Sequence, residues 1–193
     1  MARAAAPLDA AFAARNADMT RRMAADREVR ERSREWVHAV LPFEYHYHFT
    51  WLGLPIIQFP SDIVAMQEVI WEVQPDLIIE TGIARGGSLV LYASMLELLG
   101  GDRRVVGIDV DIREHTRTAL AEHPLRHRIT TIEGSSIEPE TARQVTEHAR
   151  SRERVLVVLG GTGGQRGHEQ QGCDEGQVKK GVRESHGSAR RER

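Results

Sequence analysis

The sequence predicts a doubly wound α/β fold built on a parallel sheet. Three observations carry that expectation. From Asp76 onward, short apolar runs rich in β-branched residues alternate with segments of helical length. The runs read as continuously apolar, as strands covered on both faces do. Glycine-rich or acidic turns follow them, and open α/β sheets bind their ligands at the carboxyl ends of their strands.

The elements follow in order. Residues 8–40 read as one or two helices, because Ala, Arg, Met and Glu are good helix formers and no proline stands between Pro7 and Pro42. Apolar residues are sparse there, although Met19 and Met23 stand four apart. This arm, residues 1–40, is expected to pack or to oligomerise rather than to catalyse. Residues 41–60 collect Phe43, Tyr45, Tyr47, Phe49, Trp51 and Phe59, with three prolines and Gly53. Those breakers forbid a long helix and predict an ordered loop or short strands. On an extended chain His46 and His48 would share one face. No further metal ligand is in register with them, so both read as structural. Ser61 is expected to cap a helix carrying Asp62 in its first turn. Ile63, Met66, Ile70 and Val73 supply its spacing, and Pro75 ends it. A strand at 77–79, a helix at 88–99, a strand at 105–108 and a helix at 112–122 follow. A strand at 129–132, a helix at 139–150 and a strand at Val155–Leu159 complete the alternation. Right-handed crossovers then make the sheet doubly wound, with about four strands over residues 41–159.

Composition narrows the function classes. Lys and Arg number 26 against 28 Asp and Glu, a net charge of −2, without the basic excess of a nucleic-acid-binding domain. The single Cys173 excludes an internal disulfide framework and a multi-cysteine metal site. No apolar run approaches the roughly 20 residues of a membrane span. The N-terminus lacks the apolar core of a signal peptide, and Asp9, Asp18, Asp26 and Glu28 do not suit a transit peptide. A cytoplasmic protein acting on a small molecule is the expectation.

The stretch that carries chemistry runs Pro75-Asp-Leu-Ile-Ile-Glu80-Thr-Gly82-Ile-Ala-Arg85-Gly86-Gly87-Ser88. It predicts a strand, a glycine turn and a helix start. Gly82 can take a positive φ where the chain leaves the strand. Gly86 and Gly87 would let a ligand approach the backbone. Ser88 would cap the next helix, whose free N–H groups face the bound molecule. A dinucleotide fingerprint needs a glycine two residues before Gly82. Glu80 stands there instead, badly placed beside a pyrophosphate but well placed to accept from a cationic or hydroxyl-bearing ligand. Asp109 ends the second strand, where an acid suits ribose hydroxyls, with Asp111 as the alternative. Gly134 and Ser135, after the third strand, form a small polar turn suited to an adenine edge.

These motifs resemble the first motif of class I S-adenosylmethionine-dependent methyltransferases. Trp51-Leu-Gly-Leu-Pro55-Ile-Ile-Gln58-Phe-Pro60-Ser-Asp62, Gln67-Glu68, 75–88 and 107–113 together resemble the cephalosporin hydroxylase family, which contains rhamnosyl O-methyltransferases. The resemblance covers about Phe43 to Leu159. It implies a Rossmann-like methyltransferase fold and S-adenosylmethionine as cofactor. The implied binding residues are Glu80, Gly82, Arg85, Gly86, Gly87, Ser88, Asp109, Asp111, Gly134 and Ser135. It implies methyl transfer to a hydroxyl of a sugar, glycolipid or other natural product, with Mg2+ assisting some members.

Past Leu159 the pattern stops. The family places Asp-Ser-x-His after its fourth strand, the Asp being a metal ligand, whereas Gly160 stands here. No metal ligand is therefore assigned, and Mg2+ is not expected to be retained. Residues 160–193 hold nine of the 17 glycines and few apolar residues. Disorder is expected there, from a truncated or frameshifted end. Two alternatives stand beside the methyltransferase reading: a catalytically inactive cofactor-binding remnant, and an NAD-dependent oxidoreductase, which Glu80 disfavours. A homo-oligomer through the N-terminal helices is a further expectation.

Overall fold

The structure, a computed structural model, describes residues 9–160 and the backbone of Val178–Lys179. The arm is two helices, α1 (Ala10–Ala25) and α2 (Arg27–Val40), meeting at Asp26. Each begins on an aspartate. Asp9 Oδ1 accepts from Phe12 N–H at 2.9 Å, and Asp26 Oδ1 accepts from Val29 N–H at 3.1 Å. Such caps satisfy N–H groups that the first turn leaves free. Neither helix has a buried residue, as the sparse apolar positions predicted. Near the end of α2, Trp36 meets Tyr45 edge-on with ring centroids 5.5 Å apart, and it also leans on Phe59.

The aromatic segment forms two 3-10 turns, Leu41–Phe43 and Tyr45–Tyr47, joined at Glu44 in the left-handed region. An antiparallel hairpin of β1 (Phe49–Trp51) and β2 (Leu54–Ile56) follows. The backbone at His46 is therefore coiled, not extended, so the alternation expected of His46 and His48 does not arise. Instead His46 stacks on Phe59 at 5.9 Å. Helix α3 (Pro60–Val73) starts two residues earlier than expected. Proline occupies its first turn, where a missing N–H costs nothing. The capping position is Phe59, so Ser61 lies inside the helix and does not cap it.

The sheet comes next. Its strands are β3 (Leu77–Thr81), β4 (Arg104–Asp109), β5 (Ile129–Glu133) and β6 (Val155–Leu159), all parallel in the order β5-β4-β3-β6. Helices α4 (Gly87–Leu99), α5 (Glu114–Glu122) and α6 (Pro139–Ala149) connect them. The chain moves outward from β3 to β5, then crosses back to β6 on the other side of β3. That reversal is a topological switch point, and it opens a crevice between the ends of β3 and β6. The doubly wound α/β architecture with an N-terminal helical arm is the one the sequence predicted. A two-residue strand, β7 (Val178–Lys179), pairs antiparallel with the outer edge of β6. The rest of 161–193, where disorder was expected, lies outside the described residues.

The core has two layers. Ile78, Val105 and Leu156 face α4, with Met66 and Ile70 of α3 and Leu120 of α5 behind them. Leu77, Ile79, Val106, Ile108 and Ile132 form the opposite layer, against Val145 and Ala149 of α6. Helix α4 is apolar almost all round because it is covered almost all round, by the sheet, by α3 and by the hairpin. Trp51 Nε1–H donates to Ser94 Oγ at 3.1 Å, tying the hairpin to α4. No helix among the described residues is long and apolar enough to cross a membrane.

Candidate functional site

The glycine loop leaves β3 at the switch point, and three strand-end hydrogen bonds hold the neighbouring turns in line. Gly82 N–H donates to Ile108 O at 2.8 Å, Gly134 N–H to Asp109 O at 2.8 Å, and Gly160 N–H to Thr81 O at 2.9 Å. Gly82 has φ +79°, the left-handed conformation its position predicted. Ala84 also lies in that region, at φ +46°, where a side chain costs energy. The loop is held there from two sides. Asp109 Oδ2 accepts from Ile83 N–H at 2.9 Å and from Ala84 N–H at 3.3 Å. On the other side Thr116 Oγ1 donates to Ala84 O at 3.3 Å, and Arg85 Nη1 stands 2.9 Å from His115 Nε2.

Asp109 therefore does more than end a strand. It binds the glycine loop through one carboxylate oxygen, while its Oδ1 accepts from Asp111 N–H at 3.3 Å. Asp111 is exposed, with its carboxylate 4.0 Å from Arg113 Nε. Glu133, at the end of β5, pairs with Arg117 Nη2 at 2.5 Å. Gly134 packs against Thr141, which occupies the space a side chain at 134 would need. Ser135 O accepts from Glu138 N–H at 3.0 Å, closing the turn before α6.

Glu80 is the most distinctive group. It is 3% exposed, and its carboxylate turns toward α4. Ser88 Oγ donates to Oε2 at 2.7 Å, and Tyr92 OH donates to Oε1 at 3.0 Å. Burial pushes the carboxyl up to about 7, against the opposing pull of those two hydrogen bonds, and the charge of Asp109 adds to the rise. Tyr92 is fully buried, and burial and the Glu80 charge together hold its phenol well above the usual range.

Two expected roles change. Ser88 does not cap α4. The capping position is Gly86, at φ +81° with no side-chain hydrogen bond, and the Ser88 hydroxyl serves Glu80 instead. Gly87 is buried against the hairpin, where an added Cβ would collide with the Pro55 carbonyl. Its lack of a side chain therefore seats β2 on α4, instead of opening a path for a ligand.

The structure thus brings Glu80, Gly82, Arg85, Gly86, Ser88 and Asp109 to one loop. Asp111, Gly134 and Ser135 stand at the adjoining strand ends. Several neighbours escaped the sequence reading. Tyr92 lies one helical turn beyond Ser88, a polar tip in an otherwise apolar helix, and that spacing was the available signal. His115 and Thr116 are distant in sequence and carried no signal. Val110, 70% exposed, directly follows Asp109, and Ile137, 90% exposed, lies in the turn after β5. Large apolar residues at two adjacent strand ends are the sequence signal for this surface.

The described residues do not fit a metal. No group of three or more His, Cys, Asp or Glu among them could hold an ion. A Cβ at position 160 would run into Thr81 O.

Known proteins with similar sequences or folds include rhamnosyl O-methyltransferases and CmcI. A rhamnosyl O-methyltransferase of Mycobacterium leprae is 29% identical over 96 residues, covering 50% of this chain and 40% of that protein. One from Mycobacterium bovis is 31% identical over 97 residues, covering 50% of this chain and 38% of that protein. The chain thus spans well under half the length of these curated relatives. Among solved structures, the apo form of CmcI-N160 is 25% identical with a TM-score of 0.47, covering 57% of this chain and 45% of that one. The Rhamnosyl O-methyltransferase/CmcI family matches residues 43–169, starting at Phe43, where the resemblance was expected to start, and running past Leu159. With that match spanning well over half of its residues, the chain belongs to the Rhamnosyl O-methyltransferase/CmcI family.

Proposed function

We propose that this chain binds S-adenosylmethionine and serves an O-methyltransferase reaction on a hydroxyl of a sugar, glycolipid or other natural product. The observation that carries the reading is the Glu80–Ser88 loop, held in a strained conformation at the switch point by Asp109. The curated relatives are named for a rhamnosyl acceptor, which motivates the sugar hydroxyl.

In this reading Glu80 and the glycine loop take the amino-acid part of the cofactor. A carboxylate has about four acceptor sites, so Glu80 retains capacity beyond Ser88 and Tyr92. The ribose hydroxyls fall to Asp109, or to Asp111 if the sugar lies one turn further out. Gly134 and Ser135 face the adenine edge, and Val110 and Ile137 supply apolar surface for its faces. The cofactor supplies an electrophilic methyl group on a sulfonium. The same reading keeps the N-terminal arm as the contact for a homo-oligomer, supported by the exposed Phe12, Met19 and Met23 of α1.

A second reading is a cofactor-binding module without catalysis. The poor fit of the described residues to a metal favours it, because a bound ion could orient and acidify the acceptor hydroxyl. An NAD-dependent oxidoreductase is disfavoured by the buried acid where the fingerprint needs glycine. Calorimetric titration with S-adenosylhomocysteine, NAD and NADP, followed by a methyl-transfer assay on sugar acceptors, separates the three. Binding of the first ligand with transfer supports the enzyme. Binding without transfer selects the module, and binding of NAD or NADP alone overturns both.

A further inference from the structure

We propose that Tyr92, backed by Gln58, is the positioning residue that orients the Glu80 carboxylate toward a cationic ligand. The inference rests on the cofactor reading above and extends it to groups that reading does not use.

Four polar side chains form a line through an otherwise apolar layer. Ser88 and Tyr92, one turn apart on α4, grip the two oxygens of Glu80 from the same side. The Gln58 side chain, from the segment between β2 and α3, acts on Tyr92 and partly offsets the rise of its phenol. Its own Oε1 is buried with no partner among the described residues. A buried tyrosine hydroxyl that donates to one carboxylate oxygen leaves that carboxylate little rotational freedom. The remaining lone pairs of Glu80 are thereby aimed, and they need not reorganise when a cation arrives.

In the sheet, Glu80 sits in register with Gly107 of β4 and Val158 of β6, neither of which titrates. The charged or titratable groups acting on Glu80 are Tyr92 from α4 and Asp109 from β4. Asp109 opposes its ionisation, while Ser88 and Tyr92 favour it. Tyr92 therefore acts, beside Ser88, both on where the carboxylate points and on the pH at which it carries charge. Burial leaves that midpoint near neutrality, at about 7.

The test is Tyr92→Phe, which keeps the ring and removes only the donor. Calorimetric titration of the full chain with S-adenosylhomocysteine, whose amino group is cationic, is run from about pH 6 to about pH 8.5. The parent is expected to bind more tightly as Glu80 ionises through this range. Losing one donor to the carboxylate raises its midpoint, here by about one pH unit. The variant should therefore bind at least about fivefold more weakly near pH 7 and keep a smaller deficit at the alkaline end, where Glu80 is ionised in both proteins and only the lost orientation acts. Gln58→Leu, which leaves Tyr92 in place, should shift the midpoint the same way by a smaller amount. A merely structural role would lower affinity equally at every pH, and that result overturns the proposal. Superimposable profiles for the parent and both variants also overturn it, while leaving the cofactor reading intact. Absence of binding by the parent at any pH overturns the cofactor reading and this inference with it.

Discussion

Glu80→Gln should make this protein more stable and a poorer binder of S-adenosylhomocysteine. The carboxyl is buried and its midpoint stands at about 7, against 4.5 for the ordinary group. That difference of about 2.5 units, at about 1.36 kcal/mol per unit, is worth about 3 kcal/mol. The sign follows from which state holds the proton. Between about 4.5 and about 7 the folded chain keeps Glu80 protonated while the unfolded chain has released it. The stability tied to this group is therefore full below about 4.5, falls as pH rises, and is lost above about 7. Glutamine never ionises, so the variant escapes the fall. Urea unfolding of the parent and the variant at several pH values between about 5 and about 8 measures the difference. Other carboxylates titrate in both proteins and cancel. The gap should widen by about 1.4 kcal/mol per pH unit and level off near neutrality. Over the same range the affinity for S-adenosylhomocysteine above neutrality should drop about ten- to a hundredfold, the worth of a charge-assisted hydrogen bond. Parallel stability curves across the whole range would refute the reasoning, because they would mean that Glu80 ionises as easily folded as unfolded.

Asp109→Asn should weaken binding of S-adenosylhomocysteine by about tenfold, read by calorimetry, because the charge that holds the Ile83 and Ala84 N–H groups is lost. Unchanged affinity in both Asp109→Asn and Glu80→Gln would move the site elsewhere. Gly87→Ala should cost about 3 kcal/mol in urea unfolding, because its Cβ meets the backbone of Pro55 and Ile56, which cannot rotate away. Arg117→Ala, which breaks the half-exposed pair with Glu133, should cost less than about 1 kcal/mol by the same assay. A chain ending at Gly160 should keep a cooperative thermal transition, and circular dichroism during heating checks this.

Much of the strand pattern was legible because it is written locally. Leu77, Ile78 and Ile79 are apolar in succession since both faces of β3 are covered. The glycine loop was legible for the same reason. A positive φ at Gly82 is a property of the residue and its two neighbours, so spacing along the chain announces it. The acids Glu80 and Asp109 could be placed at strand ends because the strands that carry them could be counted.

What the chain does with those residues was settled by contacts between distant segments. Ser88 reads as a helix cap in any local analysis, and only the approach of Glu80, eight residues earlier, gives its hydroxyl a stronger acceptor than the helix end. Gly87 reads as part of a ligand cradle until the hairpin, more than 30 residues away, is seen to rest against it. His46 and His48 alternate in sequence, but alternation has meaning only on an extended backbone, and the turn at Glu44 coils it. The raised midpoint of Glu80 has no local signature at all. It arises from desolvation, which depends on every segment that excludes water from the carboxylate. Local spacing therefore determined which residues stand at the strand ends, while packing across the sheet decided which of them bond to one another.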